Sequence, residues 1–254
     1  MWQDVIELRA FYESRTGQVA RHLLRRAVRS MWPDVRGQAV LGLGFAHPYL
    51  RQFRGEAERV LAFMPAAQGV MHWPPEGPFV SALVDETELP LQDYSVDRVL
   101  LVHGLEHSDY LKDMLDEVWR VLTGQGRLLV VVPNRRGIWA RLERTPFGYG
   151  HPYSPSQIER VLKDNLFVPQ RTGRALFIPP TRSATLLRSA AAWERVGQRW
   201  FPQICGVNLI EASKQLYAPT PVRAAERRRR RALVGFPQVA PSPMRRIELP
   251  PGDA

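Results

Sequence analysis

The sequence predicts an α/β fold: an open, mostly parallel sheet with helices ahead of it and a helical insertion near the C-terminus. Three observations carry this expectation. From Ala39 onward, short apolar runs alternate with helical patterns, which is how successive βαβ units read. Asp97–Val102 and Arg127–Val132 are nearly continuous apolar runs, as in strands covered on both faces. The chain has 254 residues, 44% of them hydrophobic, enough for one large domain or two small ones and too apolar for wholesale disorder.

The elements follow in order. Trp2 to Met31 reads as helix, with Val5, Leu8, Phe11 and Tyr12, then Val19, Leu23, Leu24 and Val28 at helical spacing. Gly17 is the expected dividing point, and Pro33 closes the region. Arg21, Arg25 and Arg29 form a stripe that reads as a solvated face. Strands are expected at Ala39–Gly44, Arg59–Met64, Phe79–Val84, Asp97–Val102 and Arg127–Val132. A helix from Asp109 to Leu122 precedes the last of these, joined to it by a turn at Thr123–Gly126. Ser154-Pro-Ser-Gln157 is a capping box with proline at the first helical position, and its helix runs to about Asn165. Leu166–Val168 with Arg174–Ile178, and Gly206–Tyr217, complete the strand candidates. Between them Thr181–Phe201 reads as an inserted helix whose Trp193, Trp200 and Phe201 belong to its core.

Charge is uneven. The net charge is +10, from 35 basic and 25 acidic residues. Residues 219–254 hold eight arginines against three acids, which is half of the excess. This proline- and arginine-rich tail is expected to be disordered. Its Arg227–Arg231 run would meet nucleic acid or an anionic surface through charge alone, and Phe236 is its single aromatic residue. Cys205 is the only cysteine, so a disulfide scaffold is excluded and a reducing, cytoplasmic, bacterial-type compartment is expected. The longest apolar run is far too short to cross a bilayer, and the opening residues do not resemble a secretory signal.

Two blocks are more specific than periodicity. Glu86-Thr-Glu-Leu-Pro-Leu-Gln-Asp-Tyr-Ser-Val-Asp97 leads into Arg98-Val-Leu-Leu-Val-His-Gly-Leu-Glu-His107. Glu117-Val-Trp-Arg-Val-Leu-Thr-Gly-Gln-Gly-Arg-Leu-Leu-Val-Val-Val-Pro-Asn134 follows. Together they resemble class I S-adenosylmethionine-dependent methyltransferases of the UbiE/methyltransferase-11 type, over about residues 38 to 217. The resemblance implies a Rossmann-like, seven-stranded sheet and S-adenosyl-L-methionine as cofactor. It also implies methyl transfer to a small molecule or exposed acceptor by in-line displacement, a reaction that depends on positioning and water exclusion. Ligands of such sheets bind beyond the carboxyl ends of the strands at the switch point. The resemblance therefore assigns the cofactor to Gly42, Gly44, Phe45, Ala46, Asp85, Glu86, His103 and Gly104. It places Tyr149 and His151, in the Thr145–Tyr153 loop, on the acceptor wall, and with His107 these are the catalytic candidates.

The departures from the family pattern are pointed. Where the family has an acid and three glycines in its first turn, this chain has Val40-Leu-Gly-Leu-Gly-Phe-Ala-His-Pro48. The end of the second strand, Phe63-Met-Pro-Ala-Ala67, carries no carboxylate for the ribose. The lost charge-assisted hydrogen bonds are worth about 1.5–3 kcal/mol each, unless Gln68 or backbone groups compensate. The alternative reading is thus a degenerate methyltransferase fold that acts as a binding or regulatory partner, with a protein partner in place of a small-molecule acceptor. His103-Gly-Leu-Glu-His107 also spells H-x-x-E-H, a zinc pattern on helices. It sits after a strand with no evident third ligand, so no metal is expected. The domain boundaries expected are 1–36 for the helical segment, 37–218 for the sheet domain with an insertion at about 181–203, and 219–254 for the tail.

Overall fold

β1 (Ala39–Gly44) is buried along its whole length and lies inside the sheet. The chain is described here by a computed structural model, which covers residues 2–216. The arginine-rich tail and the end of the last expected strand lie outside the described residues. Around β1 stand β2 (Arg59–Pro65), β3 (Ser81–Val84), β4 (Val96–Val102), β5 (Leu122–Pro133), β6 (Phe167–Ala175) and β7 (Val207–Lys214). They form one seven-stranded sheet in the order β3-β2-β1-β4-β5-β7-β6. β1 to β5 pair in parallel, whereas β7 runs antiparallel between β5 and β6. The order reverses between β1 and β4, which is the switch point where such sheets bind ligands.

Helices cover both faces, as the apolar strands require. On one face lie α1 (Val5–Glu13), α2 (Arg15–Met31) and the short α3 (His47–Leu50), packed on Val40, Leu100, Leu129 and Leu209. On the other lie α4 (Leu111–Val121) and α5 (Pro155–Asp164), packed on Leu41, Val99, Leu128 and Ile210. Alternate residues of each strand thus serve opposite layers. The N-terminal helices belong to the same unit as the sheet.

The α4 side explains the second sequence block. Glu117 accepts from the Leu89 amide at 2.7 Å. Arg120 donates to the Leu89 and Leu91 carbonyls at 2.9 and 2.8 Å and to Asp93 at 2.7 Å. One helical turn therefore clamps the Leu89–Asp93 loop that feeds β4. Ser154 and Gln157 form the expected reciprocal capping box.

Three expectations are corrected. The N-terminal helix divides at Ser14, not Gly17. Ser14 has extended backbone, and its hydroxyl accepts from the Gly17 amide as the cap of α2. Gly17 serves close approach instead, since a Cβ there would sit 1.9 Å from the Phe11 carbonyl oxygen. The expected turn at Thr123–Gly126 is part of β5, which extends back to Leu122 through a register shift against β4. The insertion is two helices, α6 (Ala184–Arg188) and α7 (Ala190–Trp200), and its aromatic residues are not core. Trp200 is 68% exposed and Phe201 56%. α7 packs through Ala190 and Gly197, where an added Cβ would meet Phe177 at 2.4 Å. Small residues bring the helix close, and its tryptophans point away.

The arginine stripe of α2 is only partly a solvated face. Arg29 pairs with Glu56 at 2.7 Å and lies over the Phe53 ring. Arg21 and Arg25 join Arg9 and Arg51 along a groove of about 460 Å³ that Trp73 and His47 also line.

Candidate functional site

The carboxyl ends of β1 to β4 converge at one crevice, and each turn there has a local reason. Gly44 ends β1 at φ 77°, and a Cβ would lie 2.4 Å from the Val102 carbonyl oxygen. Glycine is thus required both by conformation and by the approach of β4. The Phe45 amide then donates to Val102 at 2.8 Å, locking the two strand ends together. Gly42 makes room for Leu50 and Ala46, so it seats α3 rather than facing a ligand. His103 follows β4 with φ 49°. A non-glycine residue in that region is uncommon, histidine less so than most, and such a position is held by its surroundings. The holding contact is Gln68, whose side-chain amide donates to the His103 carbonyl at 3.2 Å.

A buried chain of polar groups runs through the crevice. Tyr49 donates to the Tyr12 oxygen at 2.8 Å. Tyr12 Oη and His103 Nε2 are 2.7 Å apart, and His103 Nδ1 is 3.3 Å from a Glu106 carboxylate oxygen. With the Nδ1–H tautomer every donor in this chain points toward Glu106, and hydroxyl rotation permits the reverse direction. Burial raises Tyr12 well above its ordinary range, with Tyr49 and Glu106 adding to the effect. Tyr49 is raised by burial as well. For Glu106, burial favours the neutral acid, but the His103 hydrogen bond and the two nearby imidazoles outweigh it and hold the carboxyl below its ordinary value. His47 is pushed down to about 3 by burial and by Arg21.

The cofactor candidates are brought to one end of the sheet, but they do not present an open site. Gly42, Gly44, Phe45, Ala46, Glu86, His103 and Gly104 are buried. Tyr12 stacks on Phe45, with ring centroids 5.4 Å apart and an interplanar angle of 14°. The Trp2 indole donates to the Glu86 carboxylate at 3.1 Å and packs near Gly104. The Val5 amide donates to the Gln68 carbonyl at 2.9 Å. Asp85 is exposed, but its carboxylate closes its own turn by accepting from the Thr87 amide and hydroxyl at 2.8 and 2.7 Å. Those bonds lower its pKa.

In this conformation the crevice does not fit S-adenosyl-L-methionine. Met64 and Pro65 end β2 without a carboxylate, Gln68 is committed to His103, and Tyr12, Phe45 and Trp2 fill the space above the strand ends. The sequence signal for this filling is slight. Trp2 and Tyr12 read as ordinary apolar positions of a helix, and nothing local links them to Glu86 or His103.

The catalytic candidates do not converge. His107 is buried beneath the Trp2 ring, centroids 6.1 Å apart. Tyr149 is exposed and lines a separate groove of about 960 Å³ with Phe11, Ser14, Thr145 and Arg144. The His151 amide donates to the Glu106 carbonyl at 2.8 Å, while its side chain is exposed. α1 forms a wall of the Tyr149 groove on one side and covers the crevice with Tyr12 on the other. His103, Glu106 and His107 do come together, with one ligating atom from each within 4.8 Å of the others. A single hydrogen-bonded turn achieves this, His107 and Ser108 both donating to the Gly104 carbonyl. The helix that the H-x-x-E-H reading required is not needed.

Comparison with known proteins agrees with this architecture. Residues 41–130, from β1 into β5, match the family model described as a methyltransferase domain, methyltransferase-11. A 47-residue stretch is 47% identical to an uncharacterised protein of Methanocaldococcus jannaschii, covering 18% of this chain and 20% of that one. The match thus spans about a fifth of the length of that curated relative. A chain from the complex between the Haloferax volcanii Trm112 methyltransferase activator and a protein classed as a methyltransferase is similar in structure. Its TM-score is 0.59 at 17% identity, over 84% of this chain and 100% of that one. An S-adenosylmethionine-dependent methyltransferase from Thermotoga maritima gives 0.57 at 16% identity, over 83% and 96%. The [4+2]-cyclase SpnF gives 0.54 at 16% identity, over 79% and 84%. At such identities the likeness is one of fold, and the cyclase's name shows that this fold does not by itself specify methyl transfer. The sheet order is that of the class I methyltransferase fold, and within it residues 41–130 match the methyltransferase-11 domain.

Proposed function

We propose that the chain is an S-adenosylmethionine-dependent methyltransferase whose crevice is closed by residues 2–12 and opens when that segment moves. The observation that carries the reading is the family match, which runs through the strands and turns that build the crevice. Closure rests on the Trp2–Glu86, Val5–Gln68 and Tyr12–His103 hydrogen bonds. Displacing α1 would also join the crevice to the Tyr149 groove, since α1 divides them. The acceptor would then enter along Phe11, Thr145 and Tyr149, with Tyr149 and His151 orienting it. In-line transfer asks mainly for positioning and exclusion of water.

The acceptor class we assign is a small molecule or an exposed group. The structurally similar chain from Haloferax volcanii was solved with an activator protein, and a protein partner is the agent we assign to opening. The cytoplasm is the compartment we assign, on the single buried Cys205. No described helix is long and apolar enough to cross a membrane.

Calorimetric titration of S-adenosylmethionine and S-adenosylhomocysteine into the full chain tests this. A binding-competent state that is only fractionally populated weakens apparent affinity by that fraction. Trp2→Ala and Tyr12→Ala should therefore each bind about tenfold or more tightly than the unaltered chain. Trp2 lies outside α1, so its variant keeps the test informative if Tyr12→Ala unfolds. Absence of binding at millimolar cofactor in the chain and in both variants would overturn the proposal.

A further inference from the structure

The turn after β4 buries more ionisable chemistry than its hydrogen bonds satisfy. The Glu106 side chain is 0% exposed. Among the described residues, the hydrogen bond found for one of its carboxylate oxygens is the long, 3.3 Å contact with His103 Nδ1, and Oε2 is buried without a hydrogen-bond partner. A carboxylate in such surroundings is normally paired, neutralised or bound to a metal. The residues beside it are two imidazoles, His103 and His107, equally buried.

We infer that His103, Glu106 and His107 form a binding site for one divalent transition-metal ion of the zinc or iron(II) class. Two imidazoles and one carboxylate are the donor set of hydrolytic zinc sites and of non-haem iron(II) sites. One ligating atom from each lies within 4.8 Å of the others. Small side-chain rotations would bring all three to bonding distance of one ion, because all three rise from a single turn. His103 would bind through Nδ1, and its Nε2–H would then donate to Tyr12 Oη, 2.7 Å away. That is the outer partner which fixes the tautomer of a ligating histidine. The Tyr12 hydroxyl would rotate toward Tyr49, reversing the hydrogen-bond chain without moving a heavy atom. The unusual φ of His103, 49°, keeps its ring over the same turn as Glu106 and His107. An ion bound there would be met by the orphaned Glu106 oxygen, so the least satisfied atom of the turn becomes a ligand. The Trp2 ring lies 6.1 Å from that of His107 and covers this side of the turn.

The test uses the full chain, dialysed against a chelator and titrated with zinc chloride by calorimetry. Cobalt(II) titration followed by visible absorption is the second readout. One equivalent of zinc is expected, with weaker binding at lower pH as the histidines protonate. Glu106→Gln and His107→Gln should each weaken binding by about tenfold or more, and Tyr12→Phe by about tenfold through loss of the outer partner. His22→Ala, at an exposed histidine remote in sequence from this turn, should bind as the unaltered chain does. Cobalt should give ligand-field bands without a sulfur charge-transfer band. No zinc bound at about 100-fold excess, equal binding by both glutamine variants, or a sulfur band that places the ion on Cys205 would each overturn the proposal. Thermal melts check folding. If Glu106→Gln fails to fold, the cobalt spectrum of the unaltered chain and the His107→Gln titration decide the matter.

Discussion

Glu211 and Glu106 are both buried carboxylates in this sheet domain, and their surroundings could hardly differ more. Glu211, on β7, accepts from the Trp32 indole at 2.9 Å and from Arg98 at 3.3 Å. Arg98 itself lies over the Trp32 ring and donates to Gln38 at 2.8 Å. The acid therefore sits in a closed set of partners that ties α2, β4 and β7 together. Glu106, just beyond the carboxyl end of β4, has among the described residues one long contact to a histidine and one oxygen without a partner. A buried polar network is stabilising when complete and a liability when incomplete. The satisfied acid belongs to the scaffold, and the unsatisfied one lies where the fold places its chemistry.

Four measurements test this contrast. The largest effect is expected at Glu211→Gln, which leaves the half-buried Arg98 without its counter-charge and should lower stability by about 3 kcal/mol in urea unfolding. Next is the acid dependence of His47, a buried base beside the crevice. Its folded pKa is about 3, while an unfolded histidine titrates near about 6.5. Between those values the unfolded chain holds the extra proton, so stability falls as pH falls. The loss from pH 7 to pH 5 should be about 2 kcal/mol, and His47→Phe should remove that part of the slope. Third, Tyr12→Phe deletes the hydroxyl shared by Tyr49 and His103 and should cost about 1–2 kcal/mol. A change within error would mean that the buried chain of hydroxyls does not hold the N-terminal segment.

The smallest effect should come from Glu106→Gln in metal-free protein, at less than about 1 kcal/mol, because it removes a poorly partnered charge and keeps an acceptor for His103. Circular dichroism melts of the two glutamine variants side by side settle the contrast. Equal losses at positions 106 and 211 would mean that Glu106 is already fully paired, and the two acids would then be alike.

Most of the scaffold was legible along the chain. β1 matches its expected bounds at Ala39 and Gly44, and β2 and β4 lie within a residue of theirs. Their apolar runs and flanking turns are local signals. The Ser154 capping box was legible for the same reason, since every group it needs lies within four residues. The exposure of Trp193 and Trp200 was not. Helical periodicity gives each residue a face, but which face packs depends on Phe177 finding Gly197. The cap at Ser14 is a local signal, since serine is a favoured N-cap, but Gly17's part is a close approach to Phe11 that exists only once α1 folds against α2.

The candidate site divides along the same line. Sequence alone determined the sheet, the turns at its carboxyl ends and the lack of a carboxylate at the end of β2, because a parallel strand and its following turn are written in adjacent residues. The tertiary structure alone decided that Trp2 meets Glu86 and Tyr12 meets His103, pairs separated by 84 and 91 residues. It also decided that His103, Glu106 and His107 converge without a helix. Such contacts depend on how α1 packs across the finished sheet, and no local pattern encodes the position of a surface that exists only after the strands have assembled.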